Sequence, residues 1–167
     1  QQPVIYHNPG LTRYKQAWDY QEKILADNVA IKTAARKDAL LHNAFDVPTQ
    51  NHLILCEHPP VLTLGKSGSM NNVLISENEL LQRSIDFFKI NRGGDITFHG
   101  PGQLVGYPII DLEKFYTDIG RYLRNLEESI ILTIAEFGIR GSRSVGETGV
   151  WIDADKTGHE RKICAMG

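Results

Sequence analysis

Arg92-Gly93-Gly94-Asp95-Ile96-Thr97-Phe98-His99-Gly100-Pro101-Gly102-Gln103 is the densest signal in the chain. It lies between two strand patterns, Asp86 to Ile90 and Leu104 to Ile110. Glycine is used where backbone must approach another group closely or take positive φ. Here the glycines flank an Arg, an Asp, a Thr and a His, so the segment predicts a loop that presents N–H donors to an acyl oxygen or a phosphate. It lacks the Gly-Lys-Ser/Thr of a P-loop and the Gly-x-Gly-x-x-Gly of dinucleotide sites.

Outward from this loop, short apolar runs alternate with helical periodicity. Val4 to His7 predicts a strand stopped by Asn8-Pro9-Gly10. From Thr12, the expected N-cap, the positions Tyr14, Ala17/Trp18, Gln21, Ile24/Leu25 and Asn28/Val29 recur at helical spacing, and the helix runs into Lys32 to Lys37. Asp38 to Asn51 reads as irregular, with Pro48 as a breaker. His52 to Glu57 and Val61 to Leu64 predict strands on either side of Pro59-Pro60. Ser76 and Glu79 have the form of a capping box opening a helix through Arg83. Asp118 opens the strongest helical pattern, carried by Ile119, Tyr122/Leu123, Leu126, Ile130, Ile134 and Phe137. Gly138 stands where a left-handed cap belongs. Gly149 to Asp153 and Arg161 to Ala165 predict a strand pair. The expectation is one α+β domain over residues 1–167, a mixed β-sheet with helices packed mainly on one face.

Composition agrees with such a domain: 41% hydrophobic and 23% charged residues in 167, with a formal charge of −2. A balanced surface gives no electrostatic reason to expect nucleic acid or an anionic membrane as partner. No apolar run approaches membrane-span length, and no basic-then-apolar leader opens the chain. Two cysteines, Cys56 and Cys164, make no disulfide framework. The expected address is the cytoplasm, and no His/Cys/Asp/Glu spacing predicts a metal.

The twenty-one residues from Arg92 to Leu112 closely resemble the signature of lipoyl(octanoyl) transferases. His58-Pro59-Pro60-Val61-Leu62-Thr63-Leu64-Gly65 is similar to the family's upstream strand and turn, and Thr148-Gly149-Val150-Trp151 to a later strand. Arg161-Lys162-Ile163-Cys164-Ala165-Met166-Gly167 resembles its catalytic-lysine segment, and Tyr14, Ala17 and Gln21 fit its first helix more loosely. The resemblance implies a biotin/lipoate protein ligase-like fold. It implies a cytoplasmic enzyme that moves an octanoyl group from acyl carrier protein to the target lysine of lipoate-dependent enzymes, through a cysteine thioester and without a cofactor. The implied acceptors are the lipoyl domains of 2-oxoacid dehydrogenases and the glycine cleavage H protein.

Residue by residue, the resemblance makes Lys162 the catalytic lysine that pairs with the nucleophilic cysteine. It makes Arg92, Gly93, Gly94, Asp95, Ile96, Thr97, Phe98, His99, Ala165, Met166 and Gly167 substrate contacts. An ammonium beside a thiol favours the thiolate. Read from the residues alone, Lys162 beside Arg161 is a solvated strand end. His99 either contacts substrate or holds its own loop together, and His58 before Pro-Pro is a turn or packing residue. The family's nucleophile belongs to a Pro-Cys-Gly segment a few dozen residues past the lysine, so the expectation is a catalytic domain lacking its C-terminal part, inactive as it stands. Cys164, two residues from Lys162 on a strand, is a formal substitute, but a small thiol among Ile163, Ala165 and Met166 reads as a core residue. Two other functions remain open: an ATP-dependent lipoate or biotin ligase, and a non-catalytic module binding acyl carrier protein or a lipoyl domain.

Overall fold

The computed structural model describes residues 2–37 and 47–167. They group into two compact units, Gln1–Tyr116 and Thr117–Gly167. In the first, strand β1 (Val4–Leu11) leads into helix α1 (Tyr14–Lys37), followed by strands β2 (Asn51–Glu57) and β3 (Val61–Leu64), the short helix α2 (Glu77–Gln82), and strands β4 (Asp86–Lys89), β5 (Ile96–His99) and β6 (Val105–Ile109). The second holds helix α3 (Ile119–Ala135) and strands β7 (Val150–Ile152) and β8 (Arg161–Cys164). The class is α+β with mixed sheets, as the sequence predicts.

The strands of the first unit form two three-stranded sheets, in orders β1-β2-β6 and β4-β3-β5. Each has one parallel and one antiparallel pairing: β2 is parallel to β1 and antiparallel to β6, and β3 is parallel to β4 and antiparallel to β5. In β2 the inward positions alternate, burying His52, Ile54 and Cys56, and β3 buries Val61, Thr63 and Leu64. α1 adds Ala17, Ile24, Asn28 and Ala35 from one face; the first three belong to the predicted stripe, whereas its Leu25 and Val29 are half exposed.

Three local expectations are corrected. β1 does not stop at Asn8-Pro9-Gly10: it runs to Leu11 through a register shift between His7 and Gly10. β1 is an edge strand, where a proline without N–H is tolerated and a bulge absorbs the extra residue. Thr12 is not the N-cap of α1. Its hydroxyl donates to the Pro9 carbonyl (3.2 Å), while the first helical bonds run to the Arg13 carbonyl. The glycine-rich segment is not loop throughout, because Ile96-Thr97-Phe98-His99 forms β5 against β3; β-branched and aromatic residues suit a pleated surface better than a turn. Of the stretch read as irregular, residues 38–46 lie outside the described residues, and Pro48 precedes β2 in non-repetitive backbone.

The predicted capping box of α2 and glycine cap of α3 are present, and Asp118 adds an N-cap. Ser76 and Glu79 make the reciprocal capping box of α2, and Asp118 accepts the Arg121 N–H at the start of α3 (2.9 Å). Gly138 (φ +72°) closes α3, its N–H reaching the Ala135 carbonyl and the Ile139 N–H reaching that of Ile134. That pair of bonds is the Schellman pattern.

A polar knot ties α1 to the β2–β6 sheet. Asp111, 8% exposed, accepts from Thr49 Oγ1 (2.6 Å) and Lys32 Nζ (2.8 Å), and its N–H donates to Asn51 Oδ1 (2.9 Å). Asn28 pairs with both backbone groups of Gln50. Burial pushes the Asp111 carboxyl up, but the Lys32 ammonium and Thr49 hydroxyl more than offset this and hold it below the ordinary value. A depressed folded-state pKa contributes stability that is present above the unfolded value, about 3.9, and lost as pH falls through the folded one. Asp111→Ala is therefore expected to lower unfolding stability by roughly 2–3 kcal/mol at neutral pH, and by progressively less as the pH is lowered below about 4. Urea titrations of the two proteins at several pH values measure this difference.

Candidate active site

The glycine-rich segment is held by backbone meeting backbone. Gly65, at the end of β3, donates its N–H to the Asp95 carbonyl (3.0 Å), and the Lys66 N–H goes to the Arg92 carbonyl (2.9 Å). The approach is so close that a Cβ at Gly65 would lie 2.4 Å from the Gly94 carbonyl oxygen and 2.8 Å from that of Arg92. Only glycine fits. Gly94 itself turns at φ +81°.

Arg92 folds back over this turn. Its guanidinium donates to the Gly93 carbonyl (2.6 Å), the Asp95 carbonyl (3.1 Å), Thr97 Oγ1 (2.9 Å) and, at 3.4 Å, Thr63 Oγ1. Its Nε is buried and finds no acceptor among the described residues. Asp95 is clasped by Asn72 from the 3₁₀ turn Met70–Asn72. Arg92, Gly93, Gly94, Asp95, Ile96 and Thr97 thus form one hydrogen-bonded unit, and Phe98 points its ring outward at 51% exposure.

His99 ends β5 beside an aromatic cluster that the sequence did not single out. Its Nδ1–H donates to Gln103 Oε1 (2.6 Å), its ring stacks over Tyr14 (centroids 6.2 Å apart, planes 13°), and it meets His58 edge-on. Burial pushes the His99 imidazole below its ordinary proton affinity; Gln103 pulls the other way, and His58 and Arg92 add to the fall. A neutral imidazole with Nδ1 engaged leaves Nε2 as a lone-pair acceptor.

His58 has no exposed surface. Its Nδ1 lies 2.7 Å from the Thr12 carbonyl, which can only accept, so Nδ1 carries the proton. Nε2 then accepts from the Tyr107 hydroxyl (2.7 Å), whose own acidity burial strongly suppresses. His58 is a packing residue, as the sequence suggests, but one with both nitrogens committed. The Tyr107 partnership has no signal in either residue's local sequence.

In the second unit, Lys162 lies on β8 opposite Trp151 of β7. Its Nζ sits 4.5 Å from the centre of the indole and 3.7 Å from Glu147 Oε2. The register shifts between Val150 and Trp151, leaving Ile163 without a partner, so Lys162 and Cys164 are separated by a bulge and do not sit at regular alternation. Burial pushes the Cys164 thiol up, the Glu127 carboxylate adds to the rise, and Lys162 only partly opposes them. Cys56, 1% exposed, is raised by burial alone. Ala165, Met166 and Gly167 follow β8 in non-repetitive backbone.

Sequence reading missed Glu127, the buried charge of α3. Its signal was available: 127 falls on the same helical stripe as Leu123, Ile130 and Ile134, where a carboxylate needs partners.

A chain from the structure of a bi-partite lipoate protein ligase and its E2 lipoyl domain from Thermoplasma acidophilum superposes with a TM-score of 0.59. The superposition covers 100% of this chain and 58% of that one at 15% identity, so the fold is lipoate protein ligase-like. Residues 14–167 match the lipoyl protein ligase A/B catalytic domain, and the chain belongs to that family. It is 54% identical to an octanoyltransferase of Christiangramia forsetii, over 98% of this chain and 68% of the relative. It is 56% identical to an octanoyltransferase of Flavobacterium johnsoniae, over 92% and 64% respectively. The chain therefore spans about two thirds of the length of these curated relatives.

Two expected outcomes follow from this geometry. Gly65→Ala drives a methyl into the Gly94 and Arg92 carbonyls, and its cost is about 1–3 kcal/mol of stability; amide exchange at Lys66 and Gly94 is expected to accelerate with it. The Cys164 thiol is expected to alkylate with a pH midpoint above the ordinary value of about 8.5. Peptide-resolved mass spectrometry after timed iodoacetamide labelling measures that midpoint, and one at or below neutrality would show an activated thiol.

Proposed function

We propose that the protein transfers an octanoyl group from octanoyl-acyl carrier protein to the target lysine of lipoyl domains, including those of 2-oxoacid dehydrogenases and the glycine cleavage H protein. The observation that carries this reading is identity of 54–56% to octanoyltransferases over more than nine-tenths of the chain. We read residues 1–167 as belonging to one catalytic domain, supported by a family match across 14–167, and its address as cytoplasmic. No helix among the described residues is long and apolar enough to cross a membrane.

The chemistry runs in two displacements. A cysteine thiolate attacks the thioester carbonyl of the donor; the carrier's thiolate leaves and is protonated, and the octanoyl group is held as an enzyme thioester. The amine of the target lysine then attacks that carbonyl, an amide forms, the cysteine thiolate leaves, and the amine gives up a proton. The donor is already activated, so no ATP is consumed. Lys162 holds the positive charge that favours the thiolate. The family resemblance assigns the nucleophile to a Pro-Cys-Gly segment following the lysine, and burial, which raises the Cys56 and Cys164 thiols, supports giving that role to neither of them. The family resemblance assigns contacts with the acyl donor to residues Arg92 to His99 and, separately, to Ala165, Met166 and Gly167.

The full-length enzyme is expected to form a stoichiometric octanoyl adduct with octanoyl-acyl carrier protein in the absence of ATP, detected by intact-mass spectrometry. Lys162→Met keeps most of the side-chain stem and removes the charge; acylation at neutral pH is expected to slow by at least about 10²-fold. Unchanged single-turnover acylation in that variant would remove Lys162 from the chemistry. An adduct that appears only with ATP, together with ATP–pyrophosphate exchange, would make the protein a ligase instead. The absence of any adduct alongside tight carrier binding would make it a binding module.

A further inference from the structure

The Glu127 carboxylate has no exposed surface. Its Oε1 accepts the Gly149 N–H (2.9 Å), and its Oε2 accepts from Arg124 Nη1 (2.6 Å) and Arg143 Nε (3.0 Å). Arg143 is itself fastened by the Arg124 carbonyl (2.8 Å) and Glu128 (2.7 Å). Every one of these partners of Glu127 is a donor. An amide in its place has one accepting oxygen and an NH₂, so one edge would face a donor with a donor. The pocket is specific for a carboxylate.

What the carboxylate grips is the residue that opens the lysine hairpin. Gly149 has φ +93° and lies so close to β8 that a Cβ there would stand 2.2 Å from the Cys164 carbonyl oxygen. From this fixed point β7 proceeds with Val150 opposite Cys164 and Trp151 opposite Lys162, Ile163 being the unopposed residue. Such a bulge re-aims the neighbouring side chain. Trp151 is pinned from its other side by two backbone bonds with Ser142, each 2.8 Å, and the Lys162 ammonium lies over its ring.

We propose that Glu127 is a positioning residue for Lys162: its carboxylate fixes the Gly149 amide, and through it the β7–β8 register that seats the Lys162 ammonium over Trp151. The proposal rests on the reading of Lys162 as the lysine of the transfer reaction. Glu127 touches no substrate. It acts by holding a strand, and a displacement of about 1 Å at a reacting group costs on the order of 10²-fold in rate.

The test uses the full-length enzyme carrying ¹³C-labelled lysine. In the wild type the Lys162 ε-methylene resonances are shifted upfield by the Trp151 ring current, a readout that needs no turnover. Glu127→Gln is expected to abolish this shift and to lower the single-turnover acylation rate constant by about 10- to 100-fold, with KM for octanoyl-acyl carrier protein unchanged. Glu127→Asp, which keeps an all-acceptor group, is expected to recover most of both. An upfield shift that persists in Glu127→Gln overturns the proposal, as does a shift lost with no change in rate. If Glu127→Gln does not fold, Arg143→Gln removes one donor from the same carboxylate, and an unaltered Lys162 shift and rate there overturn it equally. A Lys162→Met enzyme that acylates normally overturns the catalytic consequence through the Lys162 reading, and the ring-current result shows that this failure is distinct from failure of the Glu127 grip.

Discussion

Three consecutive carbonyls, those of Arg92, Gly93 and Gly94, converge on the α-carbon of Gly65. There is no room for a side chain between them, so the end of β3 and the turn before β5 pack backbone on backbone. The other features of this region follow from that closeness. Arg92 can reach four oxygens at once because the turn brings them within the span of one guanidinium. β5 is delivered into register with β3, Leu64 opposite Ile96 and Val61 opposite His99, and His99 therefore emerges where Tyr14 and His58 already stand. A planar fork with five donors suits this clustering of acceptors, and the single charge of a lysine would not replace it.

The same device recurs at Gly149, with a different partner. There the close approach is to the Cys164 carbonyl, and a carboxylate supplies the fastening where Gly65 uses the loop's own backbone. In both places a glycine-enabled contact fixes the origin of a strand, and the chemically interesting side chain lies a few residues further on. The Glu127 carboxylate has no exposed surface, and a buried polar group is costly unless it is hydrogen-bonded. Two arginines and a backbone amide meet that demand.

Much of this was legible in the residues. The α+β class, much of the stripe on α1, the capping box at Ser76 and the glycine closing α3 are all local, and local chemistry is written in adjacent letters. The lysine hairpin was legible too, from two apolar runs around a polar turn. What escaped depended on distant parts of the chain. Nothing near Tyr107 indicates that its hydroxyl meets His58, and nothing near Glu127 indicates that Gly149 and Arg143 come to it. The strand inside the glycine-rich segment was hidden for the opposite reason: its flanking glycines outweighed three good β-formers, Ile96, Thr97 and Phe98. At Thr12 a favourable capping residue lost to geometry, because its backbone was already committed to Glu57 and His58.

The parallel pairings bear on how such a chain reaches its folded state. β1 finds β2 only after α1 has been traversed, Val4 meeting Asn51 at one end and Leu11 meeting Glu57 at the other. β3 and β4 likewise join across the segment that carries α2. By contrast, β7 and β8 are joined by a short turn, Ile152 facing Arg161, and such hairpins close within about 1–10 μs. High contact order is concentrated in residues 1–116, where loop-closure entropy must be met before the sheet returns any stabilisation. By this measure β2 meets β6 across a still wider separation, His52 opposite Ile109, and docking β1 onto β2 covers the other edge of β2. Until it occurs, the outer edge of β2 stands open to any other extended chain in its surroundings.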